Sequence, residues 1–367
     1  MSSIKMNKFT CIESFCGAGG MSIGLSNAGF DVKAAFDLNE FAIQTYTSSI
    51  GKEAFVADAT ALSAEELRER SGVSPGGLDL FSGGPPCQGF SKQRKGAHLL
   101  DDPRNQLFRE YIKFVNYFKP KAFILENVAI FGQARGKRHL AELSEALCEY
   151  QLYPEFYNAA DYGLAQTRQR FVLVAIHKDF QTKYRKPEPT VDTWTTVGEV
   201  IGDLPEPPED CSEHPEYPNH HRTRISKINI ERFSHVPQGG GWQDIPYDLR
   251  LECHKKSDTK SGGWPDVYGR LVWDGQCPTI TGGFDSFTRG RYGHPFSNRA
   301  LTPREAARLQ GFPDYVHFKG NKQEVRYQIG NAVPPPLAEV IGRKIIDIIS
   351  GTISTEVNDQ KQIELAI

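Results

Sequence analysis

Up to about Arg185 the chain alternates short, nearly continuous apolar runs with longer stretches whose apolar residues recur at helical spacing. The runs are Phe9–Phe15, Val32–Asp37, Ala54–Asp58, Leu78–Ser82, Ala122–Glu126, Glu155–Ala160 and Phe171–Ile176. Unbroken apolar runs bounded by turn residues predict strands covered on both faces, and helices between them predict a mostly parallel sheet. Leu107, Tyr111, Val115 and Phe118 form one such helical stripe. Two helix starts are marked as well: Ser63 with Glu66 three residues on has the form of a capping box, and Asp102 stands before a first-turn proline, Pro103.

After Arg185 the pattern dissolves into Pro-, Gly- and His-rich sequence such as Leu204-Pro-Glu-Pro-Pro-Glu and Gln238-Gly-Gly-Gly-Trp. Order returns at Thr302-Pro-Arg-Glu, a capping box with proline in the first turn, and at Pro335, which opens a helix through Leu337, Ile341, Ile345 and Ile348. The expected organisation is an α/β unit over 1–185, a smaller irregular domain over 186–300, and a segment 301–367 that packs back onto the first unit. No internal repeat interrupts this order.

Composition narrows the picture little. There are 43 Lys and Arg against 45 Asp and Glu, so net charge argues neither for nor against nucleic acid. Local clusters remain as candidates: Lys92, Arg94 and Lys95; Arg135, Lys137 and Arg138; Arg222 and Arg224; Lys255 and Lys256; Arg289 and Arg291. No stretch approaches the ~20 apolar residues of a membrane span and Met1 to Thr10 lacks a signal-peptide centre, so a cytoplasmic, reduced setting is expected. The seven cysteines include no C-x-x-C pair, which fits free thiols.

The chemistry concentrates where predicted strands end. Phe15-Cys-Gly-Ala-Gly-Gly follows the first strand, and its Gly17 and Gly19 allow a tight turn at a helix N-terminus. It departs from the dinucleotide pattern, because Ser22 stands where a third glycine belongs. Asp37 ends the second strand, where a carboxylate accepts ribose hydroxyls, and Asp58 ends the third within reach of an adenine. Either acid also serves as an ordinary helix cap, but together with the glycine turn they point to an adenosine-containing cofactor.

The fourth strand runs into Ser82-Gly-Gly-Pro-Pro-Cys87-Gln-Gly-Phe-Ser91. Lone cysteines are commonly small buried hydrophobes, yet a thiol on a rigid turn followed by three basic residues has the setting of a nucleophile. The fifth strand ends in Glu126-Asn-Val, delivering a carboxyl group beside Cys87. In Gln166-Thr-Arg168-Gln-Arg170 an extended backbone points the two arginines to one side. A zinc deaminase needs P-C-x-x-C, which is absent after Pro86, and Cys211, His214, His220 and His221 match no common zinc spacing; no metal is expected.

In this order, Phe15-x-Gly-x-Gly, Gly84-Pro-Pro-Cys-Gln-Gly, Glu126-Asn-Val, Gln166-x-Arg-x-Arg, Thr302-Pro-Arg-Glu and Gln328-Ile-Gly-Asn-Ala-Val span almost the full chain. The sequence resembles the bacterial DNA cytosine-5 methyltransferase family. The resemblance implies a Rossmann-like class I methyltransferase sheet, mostly parallel and mixed at one edge, with 186–300 as target-recognition domain. It implies S-adenosylmethionine as cofactor, double-stranded DNA as substrate, Cys87 as nucleophile toward carbon 6 of cytosine, and Glu126 as donor to ring nitrogen 3. Arg170, braced by Arg168, would bind the carbonyl at position 2. Phe15, Gly17, Gly19, Asp37, Asp58, Pro86, Asn331 and Val333 would form the cofactor pocket. The target nucleotide must be flipped out of its stack, at a cost of a few kcal/mol, and the basic loop Ser91 to Gly96 would close over it.

One departure is Asp37, where the family usually has glutamate. A monomer acting on DNA and associated with the nucleoid is the expected setting, with no membrane partner; a cognate restriction endonuclease acting on the same site and an orphan enzyme are both open. A tRNA cytosine-5 methyltransferase shares most of the motifs, but the sizeable 186–300 region favours DNA readout. A nicotinamide- or flavin-dependent oxidoreductase would share the glycine turn and acid while leaving Cys87, Glu126 and the arginines unexplained.

Overall fold

The computed structural model describes residues 9–86, 105–133, 136–256 and 264–352. Among them lies a sheet of seven strands in the order β3-β2-β1-β4-β5-β8-β6. These are β1 (Phe9–Ser14), β2 (Phe30–Asp37), β3 (Ala54–Val56), β4 (Leu80–Gly83), β5 (Ala122–Val128), β6 (Tyr150–Asn158) and β8 (Gln169–His177). The five strands from β3 to β5 run parallel, while β8 is antiparallel to both β5 and β6. The sheet is therefore α/β, mostly parallel and mixed at one edge, and every predicted strand is present.

The boundaries move for local reasons. The third strand stops at Val56, so Asp58 sits in the following turn, where its Oδ1 accepts from Thr60 N and Oγ1. Gln166–Thr167, read as a lead-in to a strand, is a separate short strand, β7, paired with β9 (Cys277–Pro278) of the irregular region.

Helices cover both faces: α1 (Gly20–Ala28), α2 (Glu40–Ser49), α3 (Ala64–Ser71), α4 (Asn105–Phe118) and α5 (Lys137–Ala146). Ser63 caps α3 through Glu66 N, but the Glu66 side chain pairs with Arg70 instead of returning to Ser63, so the box is only half formed. The predicted cap at Asp102 and Pro103 lies outside the described residues. Tyr111, Val115 and Phe118 of α4 bury against Phe81 and Phe123 on one face. On the other face lie Cys11, Leu80, Ile124 and Val174.

That second face is closed by α11 (Pro335–Ile349), whose Leu337, Ile341, Ile345 and Ile348 lie against Met21, Leu25 and Phe30. The approach of α11 to α1 is close: a Cβ at Gly24 would come 2.2 Å from Pro335 O, so glycine is required there. Helix α11 thus packs directly against α1. Between α11 and the irregular region stand α9 (Pro303–Leu309) and α10 (Lys322–Asn331).

The described residues of 186–300 contribute the short helices α6 (Val197–Ile201), α7 (Lys227–Ser234) and α8 (Glu252–Lys255), two 3-10 turns at Trp242–Asp244 and Tyr247–Leu249, and β9. Backbone carbonyls taken by arginines hold much of this region. Arg270 donates to Val236 O, Phe233 O, His294 O and Ser297 O, and its guanidinium lies over the Phe233 ring. Arg291, from one of the basic clusters set out as nucleic-acid candidates, is committed internally: it donates to Gly239 O and Gly240 O and pairs with Asp266.

The capping box of α9 is complete, with Thr302 accepting from Glu305 N and Glu305 from Thr302 N. Glu305 is buried and also pairs with Arg299 at 2.7 Å. Burial alone would raise its carboxyl group, but Arg299 outweighs burial and brings the pKa down to about 2 from 4.5. A depressed carboxylate pKa contributes stability above its unfolded value, lost as pH falls through the folded one. Glu305→Gln should therefore destabilise the protein by about 3 kcal/mol or more near neutral pH, and the deficit should shrink as pH falls from ~5 toward ~2. Urea unfolding of both proteins at several pH values reads this, and a deficit independent of pH would contradict it.

Candidate active site

The carboxyl edges of β1, β2, β4 and β5 open onto one cavity of about 390 Å³, within the range that holds a small cofactor. Phe15, Gly17, Asp37, Asp58, Pro86, Glu126, Asn331 and Val333 all line it. Eight residues singled out in the sequence, drawn from six separate chain segments, thus meet at one place.

The glycine turn is shaped by backbone conformation. Phe15 has φ 55°, unusual for a bulky side chain, and Gly17 follows at 52°. Such a conformation persists only where its surroundings hold it. Cys16 N donates to Phe36 O and Gly17 N to Asp37 Oδ2 at 2.9 Å, so the strand carrying the acid also fixes the turn. Asp37 Oδ1 accepts from Asn39 N at 2.8 Å. Burial raises the Asp37 carboxyl group, opposed by these backbone bonds. Gly19 stands behind the cavity at φ 87° as the N-cap of α1, where a Cβ would strike Ile50 and Tyr46.

Glu126 is nearly buried on β5, with Arg170 Nε at 3.0 Å from its carboxylate. Their strands are antiparallel neighbours, and Val128 pairs with Arg170 in the register. Burial raises the Glu126 pKa, and Arg170 and then Arg168 only partly offset it, so the group keeps its proton to higher pH than an ordinary carboxyl. Asn127 donates to Pro85 O at 3.1 Å, tying β5 to the turn after β4. A Cβ at Gly84 would sit 3.2 Å from Glu126 Oε2. Cys87, the residue after cavity-lining Pro86, lies outside the described residues, as do Lys92, Arg94, Lys95, the loop Ser91 to Gly96 and Arg135.

Arg168 and Arg170 do not act as a matched pair. Arg168 is fully buried and donates to Ile280 O at 2.9 Å, Gly330 O at 2.8 Å and Ala332 O at 3.1 Å. It joins the irregular region to the carbonyls flanking Asn331 and contacts neither Arg170 nor the cavity. Its positive charge also meets the C-terminal end of α10, where helix carbonyls lack partners.

Several lining residues carried no signal of their own. Glu13 is buried at the end of β1 and receives the Ser22 hydroxyl, which in turn receives that of Tyr46. Burial lifts its pKa to about 8. Tyr327 and Gln328 belong to α10, and Leu107 to α4. Gln328 lay within a quoted motif and Leu107 on a quoted apolar stripe; Glu13 and Tyr327 had only their neighbours to mark them. Cys16 also lines the cavity, but burial, with Asp37 and Glu13 nearby, pushes its thiol well above the usual range. A thiol so disfavoured as thiolate is inert.

The cavity joins apolar walls at Phe15, Phe36, Leu38 and Ala57 to carboxylates at Asp37 and Asp58. This combination suits a flat heteroaromatic ring bearing an amine and a vicinal diol, with Glu126 at the other end placed for proton chemistry. Among the described residues no group of three or more His, Cys, Asp or Glu is arranged to hold a metal ion, and no helix is long and apolar enough to cross a membrane.

A family model described as C-5 cytosine-specific DNA methylase matches residues 9–347. Type II methyltransferase M1.HphI of Haemophilus parahaemolyticus is 35% identical over 342 residues, covering 92% of this chain and 86% of that protein. Type II methylase M.HgiDII of Herpetosiphon aurantiacus is 34% identical over 349 residues, covering 93% and 96%. Among solved structures, a DNA modification methyltransferase encoded within an E. coli prophage is similar with TM-score 0.71 and 26% identity, covering 93% of this chain and 99% of that one. The Dnmt2 methyltransferase of S. pombe shares the fold, with TM-score 0.60 and 18% identity over 93% and 99%.

Proposed function

As the chain belongs to the C-5 cytosine-specific DNA methylase family, we propose that it methylates carbon 5 of cytosine in one double-stranded DNA sequence, with S-adenosylmethionine as donor and Cys87 as nucleophile. The observation that carries this reading is the proton-retaining Glu126, held by Arg170 on the wall of the cavity that also gathers Phe15, Asp37 and Asn331.

The donor fits the residues present. Asp37 would hold the ribose, its carboxylate oxygens each keeping a lone pair beyond their backbone bonds, which answers the shorter side chain at this position. Asp58 would take the adenine amine, with Phe15 and Leu38 against the ring and Gly17, Pro86, Asn331 and Val333 closing the methionine end. When bound, the donor supplies an electrophilic methyl group.

The chain's own residues then do the rest. The Cys87 thiolate adds to carbon 6 of a flipped cytosine while Glu126 protonates nitrogen 3, so electron density gathers at carbon 5. Arg170 keeps Glu126 oriented and donates toward the carbonyl at position 2. After carbon 5 has taken the methyl group it loses its proton to solvent, the thiolate leaves, and nitrogen 3 returns its proton to Glu126. Arg168 acts at one remove, fixing the backbone around Asn331. The region 186–300 would read the DNA site, with the remaining segments forming the catalytic unit. A cytoplasmic monomer completes the reading, and the type II names of its relatives support work beside a restriction endonuclease of the same site.

Incubation with plasmid DNA, tRNA and tritium-labelled S-adenosylmethionine, followed by bisulfite sequencing of the DNA, tests it. Label should enter DNA, at 5-methylcytosine in one sequence context. Label confined to tRNA, or absent from both, would refute it.

A further inference from the structure

Helix α10 presents two faces with different partners. Glu324, Gln328 and Asn331, at i, i+4 and i+7, face the cavity side. Glu324 accepts from Asn39 Nδ2 at 2.6 Å, Thr45 Oγ1 donates to Gln328 Oε1 at 2.6 Å, and Asn331 lines the cavity. Asn39 is itself a lining residue next but one to Asp37. The other face carries Lys322 and Arg326, one turn apart, and both reach Asp285 in the irregular region. Arg326 Nε lies 2.5 Å from Asp285 Oδ1 and Lys322 Nζ 3.2 Å from Oδ2, which also accepts from Thr223 Oγ1 at 2.9 Å.

Asp285 is 2% exposed and unusual in its surroundings: a buried carboxylate from one part of the chain, held by two cations from another. The contact between the two parts extends to the backbone, since a Cβ at Gly330 would come 2.6 Å from Gly282 N. Three residues after Asp285 the same segment emerges, with Thr288 and Arg289 exposed.

We propose that Asp285 is a positioning residue that couples DNA engagement by the 281–291 segment to the methyl-donor cavity through α10. This rests on the function proposed above. A displacement of Thr288 and Arg289 by DNA is passed through the rigid, charge-assisted contact at Asp285 to α10, whose opposite face sets Gln328 and Asn331. Coupling between two sites is reciprocal, so bound DNA should tighten donor binding and bound donor should tighten DNA binding by one factor.

The test is calorimetric titration of S-adenosylhomocysteine into the full-length protein, with and without plasmid DNA that the wild-type enzyme labels. Wild type should bind the analogue at least ~5-fold more tightly with DNA. Asp285→Asn should keep its DNA-free affinity within about twofold and lose most of that increment, with KM for the donor rising while kcat changes less. Arg326→Gln, at a partly exposed position, should behave alike and serves if the buried substitution unfolds the protein; Asp285→Glu should restore part of the coupling. A wild type that binds the analogue with equal affinity in both conditions, or variants that retain the full increment, would overturn the coupling while leaving the function standing. Failure of wild type to bind the analogue at all would bring down both.

Discussion

Cys87→Ser should lower methyl transfer to DNA by more than about 10³-fold, while affinity for S-adenosylhomocysteine stays within a few-fold. Carbon 5 of cytosine is a poor nucleophile until carbon 6 has been attacked, and at neutral pH a hydroxyl is almost entirely protonated where a thiol is partly ionised. Among the described cysteines, Cys11, Cys16 and Cys277 are buried, and burial pushes all three thiols up, so none of these three is fit to substitute. DNA carrying 5-fluorocytosine at the target should trap the wild-type chain, because a proton leaves carbon 5 readily and a fluorine cation does not. The adduct should require S-adenosylmethionine for its stable methylated form, survive denaturing electrophoresis and be missing in Cys87→Ser. Mapping of the adduct to another cysteine, or normal turnover by the serine variant, would remove Cys87 from the mechanism.

Glu126→Gln should slow methyl transfer by at least ~100-fold with DNA binding retained, since an amide hydrogen-bonds but delivers no proton. The pH profile adds a sharper signature. Burial raises the Glu126 pKa against the pull of Arg170, so the acid form persists above the ordinary carboxylate range and is lost as pH rises through the raised value. The wild-type rate should therefore fall on that alkaline limb, and the glutamine variant should lack it. Single-turnover rates across pH decide this; matching profiles would mean that Glu126 does not supply the proton.

The sheet was legible in the sequence because strands covered on both faces need unbroken apolar runs, as at Ala122–Leu125 and Phe171–Ile176, and those cannot be mistaken for amphipathic helices. The cavity was largely legible too, since Gly17, Asp37, Glu126 and Asn331 stand at strand or helix ends where backbone geometry exposes them. Helix α10 left no periodic trace: Lys322, Glu324, Arg326 and Gln328 spend both of its faces on polar partners, so its apolar stripe is reduced to Val325 and Ile329. The region 186–300 was recognised only as irregular, because its order comes from arginines such as Arg270 satisfying loop carbonyls, an arrangement with no fixed spacing. Arg168 likewise read as a partner for Arg170, whereas its guanidinium turns to the carbonyls of Ile280, Gly330 and Ala332.

The seating of α11 on α1 bears on how the enzyme comes into being. Asn27 Nδ2 donates to Glu339, and Arg343 donates to Asn27 O, across more than three hundred residues of intervening chain. Until the ribosome has released α11, Met21 and Leu25 lack the cover it gives and the cavity is without Asn331 and Val333 in place. Contacts so distant in sequence form late, after the entropy of closing a very long loop has been met. The cavity is thus whole only once the segment through α11 has been made and has folded back, long after the strands of the sheet have been synthesised.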